Sequence, residues 1–291
     1  MNTLAATSRV SLEPHDAVAY VFIGVDLHPA TARDALRSLE TVSARFRTLN
    51  DARAVFPDIY AVVIRDVIDA VEGRRGPELL DPQRTSRLAG RLCERYLAAL
   101  SNSLGGRDDL PGVWAVAFDA SRSRSRLTIP VQDALLGVHA HLAVDLAQCL
   151  AEDLAGADVE TVELRRHDFF ALSSLLREAL SDAIVHLTAR YDCGATRSLT
   201  ANLLLRRMAS DAAVNLLHQW RSQVWEDAIA LRALPGEGRR GVYAAALDRA
   251  ATRTACWLAA PRTVEGARWI IDTLIGISAR LPLAAARPLA A

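Results

Sequence analysis

From Leu36 to Leu281 apolar residues recur at every third or fourth position, and the every-second-residue alternation of a half-buried strand is almost absent. Leu36, Leu39, Val42, Phe46 and Leu49 make one such stripe, and Tyr60, Ile64, Val67 and Val71 a second. Leu88, Leu92, Tyr96 and Leu100 make a third; Phe169, Leu172, Leu176, Leu180, Ile184 and Leu187 a fourth. An apolar stripe has to be buried against another element, and here every other element is also helical. The expected fold is therefore all-α: a single irregular multi-helix bundle of about eight helices. Residues 30–281 form that helical domain, residues 1–29 an N-terminal arm packed on it, and the alanine- and proline-rich residues 282–291 a flexible tail.

Local signals place several boundaries. Thr31 and Asp34 have the spacing of a capping box. Asp81-Pro82 supplies a capping acid and then a first-turn proline. Gly73 and Gly76-Pro77 close a helix over 55–71. Gly112 to Phe118 is too short to assign, and Gly156 to Arg166 reads as a connector before a helix over 168–190. Tyr191 to Gly194 breaks that helix. A long helix over 199–234, bent near Ser210-Asp211, precedes two closing helices over 239–259 and 264–281.

Charge narrows the partners. Lysine plus arginine and aspartate plus glutamate number 34 each, so no basic footprint calls for nucleic acid or a membrane surface. Ser121 to Arg126 alternates serine with arginine, which reads as a solvated loop rather than an anion site. Cys93, Cys149, Cys193 and Cys256 are far apart and read as reduced core residues. No basic start followed by an apolar run marks a signal peptide, and no unbroken apolar run reaches a membrane span, so a cytoplasmic location is expected.

Chemistry concentrates in Pro130 to Leu146. Val131, Leu135, Val138, Leu142, Leu146 and Cys149 form its apolar stripe. Asp145 falls within the stripe and His141, one turn earlier, on its edge, so a carboxylate and an imidazole share a buried face. Buried there, they must be paired, hydrogen-bonded or bound to something. His139 lies about 200° around the helix from His141, which argues against His-Ala-His as a metal clamp.

Three stretches together resemble a bacterial family of uncharacterised proteins, the domain-of-unknown-function family 5995. They are Phe56-Pro57-Asp58-Ile59-Tyr60; Leu79-Leu80-Asp81-Pro82 leading to Arg95-Tyr96-Leu97-Ala98-Ala99-Leu100; and Trp114 and Phe118 through Ile129-Pro130-Val131-Gln132 to Gly137 and on to Leu146. Family members usually read Gly-Met-Asn-Ala-His-Ile and then the aspartate. His141 and Asp145 match; His139 stands where asparagine is common. His167-Asp168-Phe169 and the Trp220-Arg221 to Trp225 segment are similar more loosely. The likeness covers roughly residues 50 to 235 and implies an all-α fold; no activity comes with it.

Three readings of the central pair stay open. His141 acts as general acid or base with Asp145 orienting it; or the two are metal ligands with more from His139, His167, His186 or His218; or they form a structural hydrogen bond. Gly-rich phosphate loops, nucleophile elbows, dinucleotide fingerprints and aspartate-rich diphosphate motifs are missing from the sequence. The expectation is a cofactor-independent enzyme acting on a hydrophobic small molecule, a cyclase, lyase or hydrolase of the secondary-metabolism kind. His141 and Asp145 are its catalytic candidates; His139, Gln132, Tyr60 and Trp114 are its substrate contacts, with no metal. The alternatives are a non-catalytic binding or scaffold protein and a metal-dependent hydrolase or oxygenase. The apolar C-terminal helices suit a homodimer.

Overall fold

The computed structural model describes residues 19–107, 109–122, 130–191, 203–260 and 267–280. Among them there is no strand. Nine helices follow a helical turn at residues 19–22: α1 (Ala32–Thr48), α2 (Val55–Val71), α3 (Pro82–Leu104), α4 (Gly112–Arg122), α5 (Pro130–Asp153), α6 (Val159–Tyr191), α7 (Leu203–Ala233), α8 (Glu237–Ala259) and α9 (Ala267–Ser278). The all-α bundle expected from periodicity is the fold.

The caps explain where several helices begin. Thr31 and Asp34 close a reciprocal capping box at α1: the Thr31 hydroxyl accepts from Asp34 N–H, and the Asp34 carboxylate accepts from Thr31 N–H. Asp81 accepts from Arg84 N–H at the start of α3, with Pro82 in the first turn. Two starts differ from the sequence reading. Asp158 accepts from Thr161 N–H at 2.8 Å, so α6 begins at Val159 and takes in most of the expected connector. The stretch at Gly112 is the first turn of α4: the Asp248 carboxylate of α8 accepts from the N–H groups of Gly112 and Val113. That cap comes from a residue far along the chain, so the local sequence carried no sign of it. The break expected at Tyr191 to Gly194 and the basic run at Ser121 to Arg126 extend outside the described residues, as do residues 1–18 and the tail.

Helix α5 is the axis of the molecule, packing against α2, α3, α4, α6, α7 and α8. Neighbours on so many sides explain its composition. It is long and apolar enough to cross a membrane, with a mean hydropathy of 1.4 over its best window, yet 67% of that window is buried inside the bundle. Such an average emerges without one unbroken apolar run, which is why no span stood out in the sequence. Around it, α1 packs on α2 and α3, α4 on α8, α2 on α6 and α7 on α9. Val21, from the turn at 19–22, is fully buried in the main core, and the Arg45 guanidinium lies 5.0 Å from the centre of the Tyr20 ring, so this part of the arm docks on α1. Cys93 and Cys149 are buried thiols whose pKa burial raises, Cys149 to about 12; Cys256 is exposed, unlike the core position expected for it.

Candidate functional site

Helix α5 is not α-helical throughout. Between His141 and Leu146 it widens into a π turn, with α-helical backbone on both sides. A π turn places its backbone bonds five residues apart instead of four, and such turns gather at functional sites. The six residues of this one begin with His141 and include Asp145.

The pair forms as its spacing implied. The Asp145 carboxylate, buried, accepts from His141 Nδ1 at 3.3 Å and from the indole Nε1–H of Trp114 at 3.0 Å on the same oxygen. Because the carboxylate only accepts, it places the ring proton on Nδ1. In the neutral form of the ring the lone pair then lies on Nε2. Among the described residues that nitrogen, buried, finds no hydrogen-bond partner, and neither does the buried Tyr60 hydroxyl. An orphaned buried polar atom forfeits about 1–3 kcal/mol relative to a satisfied one, and two occur on rings only 4.4 Å apart, centre to centre.

Aromatic rings hold this arrangement in place. Phe56 stands 5.7 Å from His141, 5.5 Å from Trp114 and 5.0 Å from Tyr96, in each case edge to face. Trp114 stacks on Phe118 at 5.1 Å. Phe56 and Tyr60 come from the first stretch that carries the family resemblance, Tyr96 from the second, and Trp114, Phe118, His141 and Asp145 from the third. All three stretches converge on His141. Gly137 makes the convergence possible, since a β-carbon there would stand 2.3 Å from the Phe56 ring.

His141 and Tyr60 line a partly open cavity of about 260 Å³ between α2, α3, α5, α6, α7 and α9. Its wall is almost wholly apolar. Besides those two, among the described residues only Thr85, Trp220 and Arg221 bring polar side-chain atoms to it. A concave apolar space with a few polar groups is the usual form of a small-molecule site. Burial holds the Tyr60 phenol well above its ordinary pKa, so it serves as a hydrogen-bond donor and not as a base.

Of the residues expected at the site, His141, Asp145, Tyr60 and Trp114 come together. Trp114 stands behind the pair as a donor to Asp145 rather than in the cavity wall. Gln132 and His139, expected there as substrate contacts, lie outside the lining of this cavity. The Gln132 amide donates to the carbonyls of Leu258 (2.6 Å) and Ala260 (3.1 Å), satisfying the C-terminal end of α8. His139 Nε2–H donates to the Ala251 carbonyl at 3.0 Å, and its ring stacks on Trp220. The large angle between His139 and His141 around α5 sends them to different neighbours. Among the described residues no three His, Cys, Asp or Glu side chains are grouped as metal ligands would be. His167 is at the surface beside Asp168, and Asp168 is committed to the backbone N–H groups of Leu80 and Asp81.

The sequence reading passed over Arg221. It is buried on α7, where Nε donates to Ser173 Oγ at 2.9 Å and a terminal nitrogen donates to the Phe169 carbonyl. Its guanidinium carbon lies 3.9 Å from the centre of the Phe169 ring. The signal was available: Arg221 falls four residues after Leu217 and three before Val224, inside an apolar stripe, as Asp145 does in α5.

Neither the curated proteins nor the solved structures include a match to this chain. A family model matches residues 32–261, the whole bundle apart from α9. The chain thus belongs to the family of unknown function DUF5995.

Proposed function

We propose that this protein is an enzyme that performs acid–base chemistry on an apolar small molecule held in the cavity beside His141. The observation that carries the reading is the state of the imidazole: Nδ1 tied to a buried carboxylate, Nε2 unpaired at the wall of an apolar cavity. A carboxylate on the far nitrogen fixes the tautomer and stabilises the imidazolium that forms when Nε2 takes a proton. Trp114, bonded to the same oxygen, keeps the carboxylate from turning away. Tyr60 provides a neutral donor beside the base, suited to an oxygen on the substrate that gains charge as the proton leaves. Dehydration, cyclisation and proton abstraction next to a carbonyl all need such a pair.

The test is solvent exchange. The protein is incubated in heavy water with one apolar carbonyl compound at a time from a panel, and that compound is then analysed by mass spectrometry. Wild-type protein should convert it or introduce deuterium. His141→Gln should melt at the wild-type temperature and do neither. Absence of conversion and exchange in the wild type would leave a binding protein.

A further inference from the structure

Two arginines are buried among the described residues, Arg84 and Arg221. Arg84 has its counter-ion, since its guanidinium forks onto the Asp153 carboxylate. Arg221 has none among the described residues. Its two hydrogen bonds go to a hydroxyl and a backbone carbonyl, and its remaining contact is the face of an aromatic ring. A guanidinium offers five N–H donors in a planar fork, so this one is incompletely used. Burial alone pushes its pKa down to about 9, still charged at neutral pH. An unpaired buried charge costs several kcal/mol, which proteins normally avoid by pairing it.

This unpaired cation lines the same cavity as His141 and Tyr60. The lining runs along α6 from Phe169 to Leu187, about 27 Å of helix at 1.5 Å per residue. Lining that extends so far along one helix suits an elongated molecule more than a compact ring system. Burial keeps Tyr60 protonated, and Arg221 brings an unpaired positive charge to the wall. A carboxylate cancels it and matches the fork with two parallel bonds. A phosphate dianion would leave an excess negative charge buried.

We propose that the cavity takes an elongated apolar monocarboxylic acid whose carboxylate pairs with Arg221 and whose body occupies the space beside Tyr60 and His141. This names the substrate class for the proposed function and rests on that reading only for the reaction, not for the binding.

The experiment compares dodecanoate with methyl dodecanoate by isothermal titration calorimetry on the full chain. Dodecanoate should bind about tenfold tighter or more, the difference one charge-assisted hydrogen bond makes. In Arg221→Met the two should bind equally to within about twofold; Arg221→Lys, which keeps the charge but not the fork, should retain part of the preference. Should Arg221→Met fail to fold, the wild-type comparison and Arg221→Lys still decide. Equal binding of acid and ester to the wild type, no binding of either, or an acid preference that survives in Arg221→Met would each overturn the proposal. His141→Gln should keep the acid preference; its loss there, with Arg221→Met unaffected, would move the anchor to His141 and also overturn it. Acid preference through Arg221 in a protein that never exchanges or converts its ligand would refute the enzymatic reading alone.

Discussion

Mild acid should weaken the bundle through His139, on the side of α5 turned away from the pocket. Its Nε2–H donates to the Ala251 carbonyl, so the ring is neutral with its proton on Nε2, and Nδ1 is buried without a partner among the described residues. Protonating Nδ1 would place a charge in the core, and desolvation lowers the pKa to about 4, against the small opposing effect of the Ala251 bond. The unfolded chain offers the ordinary histidine value of 6.5. Between these values the unfolded state binds a proton that the folded state refuses, so stability falls as the pH drops from 6.5 toward 4. At about 1.4 kcal/mol per pKa unit, the loss between about pH 7 and about pH 5 is about 2 kcal/mol. Urea unfolding followed by circular dichroism at stepped pH measures it against His139→Asn, which keeps a polar side chain of similar reach and removes the titration. The two curves should converge toward acid by about that amount. A stability difference that stays constant with pH would mean that the buried ring is not the source.

Gly137→Ala should destabilise the fold by about 1–3 kcal/mol, the usual cost of overpacking, because its new β-carbon meets the Phe56 ring at 2.3 Å. Combining it with Phe56→Leu should cost less than the two single changes added together, as read by thermal melts. Trp114→Phe removes the indole donor from a buried carboxylate and should cost about 1.5–3 kcal/mol in urea unfolding. It should also slow turnover more than it weakens ligand binding, since the cavity wall itself is left intact.

What the chain revealed in advance was whatever depends on neighbours in sequence. The capping box at Thr31, the Asp81-Pro82 start and the apolar stripes are local, and so is the four-residue step from His141 to Asp145. What needed the folded structure was brought by distant segments. Trp114 reaches Asp145 from another helix, and Asp248 caps α4 from far along the chain. Gln132 and His139 looked like pocket residues because polar groups on an apolar helix ask for partners. The partners turned out to be carbonyls of α8, which no pattern within α5 can announce. Arg221 was hidden for a different reason: a charged residue in a long helix with other arginines looks like surface until its phase is counted against the stripe.

The wide turn at the centre of α5 carries a consequence of its own. Because a π turn holds one residue more than an α turn, the helix on either side keeps its alignment as if that residue were not counted. Removing one residue between His141 and Leu146 would let the segment close into ordinary α-helix, with Val131 and Leu136 before it and Cys149 and Leu150 after it still facing their present neighbours. The scaffold would survive the deletion while the His141–Asp145 alignment would not. The packing of the bundle and the geometry of the candidate site would therefore be separable at a single position, the one residue by which the π turn exceeds an α turn.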